Sequence, residues 1–316
     1  MNILILILGF LLLIKGADFF VDGSSSIAKK FKIPPMVIGL TLVAFGTSAP
    51  ELAVSIDAAL ALSNGLVFGN VIGSNIANTL LILGLSAAIT PISISKKTIF
   101  KEMPFLIVST IAMAVMAMDK LIDNSRNLLS RVDGMILLLL FIIYFFSMIE
   151  MIVNNKEKDS EEVESMPLLK SSVLTVFGLI AIVMGADLTV TSAVSIAALF
   201  GLSETLIGLT VVAVGTSLPE LITSVVAAKK GENDIAIGNI IGSNVFNILL
   251  VLGVSASINP IIISSRNYID LVILIIATVT TMLIMFTGSK ISKWEGRLMY
   301  LAYFGYIAYL VLRTVG

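Results

Sequence analysis

Residues 39–52 read GLTLVAFGTSAPEL, and residues 208–221 read GLTVVAVGTSLPEL. A second phrase recurs at the same offset of 169 residues: GNVIGSNIAN at 69–78 and GNIIGSNVFN at 238–247. The repeat pairs Glu51 with Glu220 and Asn78 with Asn247. Each phrase lies inside a strongly apolar stretch. A carboxylate placed mid-membrane costs roughly 2.5–3.5 kcal/mol on insertion scales, so it usually marks a functional path. Two carboxylates at equivalent repeat positions point to one shared site.

The apolar setting extends along the chain. Hydrophobic residues make up 57% and charged residues 13%, against about one-quarter charged in soluble domains. Mean hydropathy is +1.05. This composition predicts an all-α integral membrane protein. A bilayer core needs about 20 apolar residues per helix. That ruler gives ten transmembrane helices, at about 2–22, 36–62, 66–90, 99–118, 132–153, 169–198, 204–228, 235–258, 268–287 and 294–313. The first lacks a basic leader and a small-residue cleavage site, so it reads as a span and not a removable signal. No basic arm suggests nucleic acid, and no protein partner is implied beyond the surrounding lipid.

The chain has no cysteine and no histidine. Disulfides, thiolate nucleophiles, imidazole bases and ordinary zinc sites are thereby removed. Nothing calls for a cofactor. The remaining chemistry is that of oxygen, which suits hard cations such as Ca²⁺, Na⁺ and Mg²⁺.

Ten spans and one repeat predict two five-helix repeats, 1–153 and 169–316, joined by the polar linker 154–168, NNKEKDSEEVESMPL. An odd number of spans per repeat turns the second upside down relative to the first. This is the inverted-repeat plan of many secondary transporters, with the site near the midplane where the halves meet. Loop charge sets the orientation. With the N-terminus outside, fourteen basic residues fall on inner loops and five on the outer side. The positive-inside rule then places both termini outside and residues 154–168 in the cytoplasm, in the cell membrane.

Within the second span, Thr47 and Glu51 share a helix face with Ser48 beside them. Pro50 has no N–H, and its ring clashes with the carbonyl at Gly46, so the helix loosens there. Loosened backbone at membrane depth is tolerated where it lines a cavity or is buried in protein. Its freed carbonyls join the candidate ligands. Thr216, Ser217, Pro219 and Glu220 repeat the design. Ser74 with Asn78, and Ser243 with Asn247, add oxygens from the third and eighth spans. Gly69, Gly73, Gly238 and Gly242 are expected to let those helices approach their neighbours closely. Asp18 and Asp187 also match across the repeat; they could form an ion vestibule or be carboxylates held by a neighbouring helix, and Lys15 is the partner that helical spacing offers Asp18.

Ca²⁺ takes about 6–8 oxygens in a forgiving geometry, whereas Mg²⁺ demands a tight octahedron and holds its water. Two carboxylates balance one Ca²⁺. Two or more Na⁺ can use the same oxygens singly, which is competition for shared ligands and hence antiport. An empty site leaves two carboxylates unneutralised and resists the change of access.

GTSxPE with GSNxxN, duplicated in two halves, resembles the sodium/calcium exchangers of the cation/calcium antiporter superfamily, prokaryotic type. The resemblance covers essentially the whole chain. It implies Ca²⁺ extrusion driven by Na⁺ entry, several Na⁺ per Ca²⁺. It also implies Ca²⁺ ligation by Glu51 and Glu220, with Thr47 and Thr216 contributing backbone or hydroxyl oxygen. Ser48, Ser217, Ser74 and Ser243 would bind Na⁺, and the Ala44 and Ala213 carbonyls would contribute. The first and sixth helices, 2–22 and 169–198, would slide as a gate. Some family members carry Asp where this chain has Asn247, a pattern of the potassium-dependent branch, so Asn247 weighs against potassium co-transport. The linker is too short to fold the large regulatory domain of animal exchangers.

Three other readings stay open on the sequence. A proton- or potassium-coupled antiporter could use the same glutamates. An acid pair could serve an intramembrane hydrolase. A passive channel would need no neutralised site to change state.

Overall fold

The structure, a computed structural model, describes residues 2–118, 127–155, 165–200, 213–264 and 267–315. Among the described residues, the regular structure is helical apart from four two-residue strands. Helices suit lipid because they satisfy every backbone polar group internally. The first is α1, Asn2–Phe31. A broken pair follows, α2 (Pro35–Thr47) and α3 (Ala49–Leu60), bent by 47°. Next come α4 (Gly65–Ile89) and α5 (Thr98–Ala117), then α6 (Arg131–Asn155) and α7 (Leu168–Leu199). A helical turn at Ala213–Gly215 precedes α8, Leu218–Lys229. The chain then forms α9 (Asn233–Ile258), α10 (Asn267–Gly288) and α11 (Lys293–Val315).

Among the described residues, seven helices are long and apolar enough to cross a membrane, and α2 with α3 makes an eighth span if counted together. The expected tenth span falls on α11, which has the length, 23 residues, but more polar character. Of the expected seventh span, 204–212 lie outside the described residues, and the remainder corresponds to Ala213–Gly215 and α8.

The 30-residue α1 is about 45 Å long at 1.5 Å per residue, well beyond a ~30 Å hydrocarbon core. It packs along α7 through small residues spaced seven apart. Gly9 meets Gly185 and Thr189, Gly16 meets Gly178, and Gly23 meets Ser171 and Thr175. The order reverses between the helices, so they run antiparallel. A Cβ on Gly178 would sit 2.5 Å from the Phe20 nitrogen, which is why this seam admits only hydrogen there.

The strands are β1 (Ile92–Ser93), β2 (Leu128–Leu129), β3 (Ile261–Ile262) and β4 (Lys290–Ile291). β1 pairs antiparallel with β4, Ile92 opposite Ile291, and β2 pairs with β3, Leu128 opposite Ile262. Each ladder joins the first half of the chain to the second.

Loops gather into two sets. One holds the β1–β4 ladder. The same end holds the Lys29–Glu232 pair at 3.8 Å and the Met166 N–H donated to Ser26 Oγ at 2.9 Å. Lys230 bridges Asp18 and Asp22 there, at 2.6 Å each. Asp18 therefore pairs with Lys230 on a neighbouring element, and not with Lys15 on its own helix. The other set holds the β2–β3 ladder, the Ile263 N–H donated to Asn127 O at 3.1 Å and the Arg313–Asp270 pair at 3.1 Å. Between the ends, α9 is almost wholly enclosed, while α6 and α7 turn residues such as Leu139, Phe146, Phe177 and Met184 outwards. An exposed apolar belt of this kind is a lipid-facing surface.

Candidate metal centre

The break between α2 and α3 falls at Ser48, with φ −87° and ψ 3°. Its repeat equivalent, Ser217, has φ −91° and ψ 8°. Pro50 and Pro219 sit at the start of the helices that follow. Each cannot donate to the preceding turn, so the helix ends and restarts. The Ser48 N–H still reaches the Ala44 carbonyl at 2.9 Å. Glu51 and Glu220 lie in the first turn after each break.

Both carboxylates are buried, each residue 1% exposed. Neither oxygen of Glu51 has a hydrogen-bond partner among the described residues, and Glu220 Oε2 has none. Ser48, three residues before Glu51, joins the two glutamate-bearing turns through Glu220. Glu220 Oε1 accepts from Ser48 Oγ at 3.0 Å. Thr47 Oγ1 lies 3.0 Å from Asn239 Oδ1, to which it donates, and 3.1 Å from the Val43 carbonyl. Ser217 Oγ donates to Ser74 Oγ at 3.4 Å. All three side-chain pairs join one half to the other.

The amides continue this pattern. Asn247 Nδ2 donates to Asn75 Oδ1 at 3.1 Å, and Asn244 Nδ2 donates to Thr79 Oγ1 at 2.9 Å. Asn78, buried, has neither amide atom partnered among the described residues, and Asn247 Oδ1 and Ser243 Oγ have no partner either. Asn78 and Asn247 lie in matching π-helical segments, Ala77–Ile82 and Phe246–Val251. Wider turns of this kind recur at functional sites. Buried polar atoms are normally satisfied. A concentration of unpartnered acceptors around two carboxylates is therefore a donor set suited to cations.

Of the expected residues, Thr47, Ser48, Glu51, Ser74 and Asn78 from the first half are buried, as are Ser217, Glu220, Ser243 and Asn247 from the second. Ala44 is buried with them, and Ala213 opens the helical turn before Thr216. Thr216, half-buried, lines a cavity of about 350 Å³ together with Ser74.

The expected close approach is seen in the second half. Gly238 and Gly242 pack closely on α2, where an added Cβ would lie 2.8 Å from the Met36 and Leu40 carbonyls respectively. Gly69 and Gly73 line the cavity, and residues 204–212, the repeat equivalents of the α2 segment packed on Gly238 and Gly242, lie outside the described residues.

Sequence reasoning missed the residues behind the site. Asn70 Nδ2 holds the Glu51 carbonyl at 3.3 Å and Ser55 Oγ at 2.9 Å. Asn239 Nδ2 holds the Glu220 carbonyl at 3.4 Å and Ser224 Oγ at 2.9 Å. Both brackets position a glutamate-bearing turn. The signal was available, since Asn70 and Asn239 stand at equivalent places in the repeated GNxIGSN phrase.

The geometry defines a buried oxygen site between two halves of a membrane protein, and comparison with known proteins agrees. The family model for the sodium/calcium exchanger protein matches residues 1–149 and 170–312. The chain belongs to this family. It is 34% identical to the sodium/calcium exchanger MaX1 of Methanosarcina acetivorans, across 98% of each chain. It is 39% identical to the putative antiporter CaxA of Alkalimonas amylolytica, across 95% of each. Among solved structures, it resembles the sodium–calcium exchanger NCX_Mj soaked with zero Na⁺ and Ca²⁺, with TM-score 0.84 and 36% identity across 98% of each chain.

Proposed function

We propose that the protein is a secondary active antiporter that extrudes Ca²⁺ in exchange for several entering Na⁺, both ions sharing one midplane site. One observation carries the reading. Two buried carboxylates, one from each half, stand amid unpartnered oxygens on turns that Ser48 joins by its hydrogen bond to Glu220. Glu51 and Glu220 would grip Ca²⁺, helped by Thr47 and Thr216 and by the Ala44 and Ala213 carbonyls. Ser48, Ser217, Ser74 and Ser243 would serve Na⁺, with Asn78 and Asn247 offering amide oxygens at the centre. Two negative charges cancel one Ca²⁺ or two Na⁺, so only a loaded site is close to neutral in a low-dielectric setting. A neutral site changes access readily, and an empty one resists, which couples the two fluxes.

Ten spans in two inverted halves fit this reading. The antiparallel seam of α1 with α7 joins repeat-equivalent helices, as inversion requires. The β1–β4 ladder supports the count. Its strands meet at one membrane face, so the chain crosses an even number of times between residues 93 and 290. The helices α5, α6, α7, α9 and α10 give five crossings, and the segment containing α8 supplies the sixth. The lysine-rich loop set would be cytoplasmic, with both termini outside, in the cell membrane. The cavity ending at Ser74 and Thr216 would give access from the face of the termini.

The test is Ca²⁺ uptake into proteoliposomes driven by a Na⁺ gradient alone, with equal pH on both sides. Uptake is expected. Uptake that requires a pH gradient, or that proceeds without any counter-ion, would overturn the proposal in favour of proton coupling or a channel.

A further inference from the structure

The outer groove between α5 and α10 takes no part in the ion site. α5 begins and α10 ends at the β1–β4 ladder, so the two helices run antiparallel. Near the ladder Phe100 of α5 meets Phe286 of α10, edge to face, with ring centres 5.2 Å apart. The two residues are 62% and 55% exposed, so their contact is open on its outer side. Further along, Ile107 and Ile111 from α5 and Ile275 and Val279 from α10 line the groove. Thr110 and Thr278 stand in the same wall, but each hydroxyl donates to its own helix, to the Leu106 and Leu274 carbonyls at 2.8 Å. The groove is therefore apolar. Phe100 and Ile111 are eleven residues apart, about 16 Å at 1.5 Å per residue, which is close to one leaflet of a ~30 Å hydrocarbon core. Phe286 and Ile275 give the same length. Lys96 and Lys290, both exposed, stand at the ladder end. Ser93 pairs with Lys290, so the ladder holds the loop bearing Lys96 beside Lys290. Neither lysine forms an ion pair among the described residues. The repeat does not carry this set: Phe100, Phe286, Lys96 and Lys290 correspond to Ile269, Ala117, Ser265 and Leu121. Pairing two repeat-equivalent helices therefore does not account for it.

We propose that this groove holds one anionic phospholipid, with its phosphate at Lys96 and Lys290 and an acyl chain running over Phe100 and Phe286 towards Ile111 and Ile275. Basic pockets between membrane helices select anionic headgroups, and aromatic rings sit at headgroup depth. The length of the apolar wall matches one chain of one leaflet, and the charge stands only where a headgroup would be. A zwitterionic lipid meets the same wall but brings no net charge to balance two cations. The bound lipid touches α5 from the first half and α10 from the second, so it clasps the halves from outside. None of these residues belongs to the ion site, so failure of this inference leaves the antiporter reading intact.

The experiment titrates phosphatidylglycerol or phosphatidylcholine into the purified full-length protein and counts retained lipids by native mass spectrometry. The unmodified protein is expected to retain one phosphatidylglycerol in preference to phosphatidylcholine. Lys96→Gln/Lys290→Gln should weaken phosphatidylglycerol about 30-fold, about 5-fold for each cation removed, and leave phosphatidylcholine unchanged. Lys96→Arg/Lys290→Arg keeps the charge and should keep the lipid, which separates charge from misfolding. Lys30→Gln/Lys229→Gln removes two exposed charges from the same end but outside the groove, and should stay within about 2-fold of the unmodified protein. Phe100→Ala/Phe286→Ala should weaken both lipids. Equal losses in the two lysine-to-glutamine pairs would show a general surface charge and overturn the inference. So would no preference for phosphatidylglycerol in the unmodified protein, or a phenylalanine variant that loses a dimer instead of a lipid, since the groove would then seat a second copy of the chain.

Discussion

Replacing Glu51 by Gln removes one charge while keeping size and shape. Glu51 is 1% exposed, and its two oxygens have no partner among the described residues. The amide is therefore accommodated without breaking a hydrogen bond of the carboxylate. What is lost is half of the charge that balances Ca²⁺. Removing one partner of a buried charge pair costs about 3–5 kcal/mol, equivalent to about two to four decades in affinity at 1.36 kcal/mol per decade. Half-saturating Ca²⁺ should rise by at least about 100-fold. Na⁺, with half the charge, should lose about half as much in free energy, or one to two decades. The ion-free protein should move the opposite way. Ser48 ties the Glu51 turn to Glu220, and removing one of two buried like charges should raise Tm in chelator by a few degrees. Radioactive Ca²⁺ uptake in proteoliposomes measures the first effect, and thermal unfolding with and without Ca²⁺ measures the second. A Glu51→Gln protein whose half-saturating Ca²⁺ stays within about 3-fold of the unmodified value would refute the reasoning, since a charge-balanced site cannot lose one ligand so cheaply.

Gly178→Val should lower Tm and slow exchange, because overpacking costs about 1–3 kcal/mol and the added Cβ would meet the Phe20 nitrogen at 2.5 Å. Gly305→Ala, with no described atom within 4 Å, should change neither. Lys230→Met should lower Tm at neutral pH. Burial disfavours the Lys230 ammonium, but its hydrogen bonds and charge contacts with Asp18 and Asp22 outweigh this and raise its pKa. Stability from a raised pKa is complete below the unfolded value, about 10.4, and is lost as pH rises through the folded one. The Tm difference between the two proteins should therefore hold steady from pH 6 to pH 9 and narrow only in stronger alkali. Replacing K⁺ with choline should leave Na⁺-driven Ca²⁺ uptake unchanged, since Asn247 brings no charge with which to hold a further cation. Stimulation by K⁺ would show otherwise.

The repeated phrases carried most of the fold. Apolar length marked the helices, and Pro50 and Pro219 marked the two breaks because a missing N–H acts locally. The gathering of Thr47, Ser48, Glu51 and Glu220 followed from one inference, that matched carboxylates in lipid must meet. Other features depended on distance and could not be read from spacing. Lys230 took Asp18 from Lys15 because the end of α8 lies against α1, a tertiary fact. The Asn70 and Asn239 brackets were written in the repeat. Helical spacing drew attention to pairs four apart, and these residues act across to another helix.

The short ladders also bear on how the chain is made. Ile92 finds Ile291 only after nearly the whole polypeptide has left the ribosome, so the clasp at that end is among the last contacts to form. Until then β1 is an unpaired edge at the lipid headgroups, open to pairing with strangers. A product truncated before β4 would keep that edge exposed, a feature by which quality-control proteases could tell it from the finished transporter.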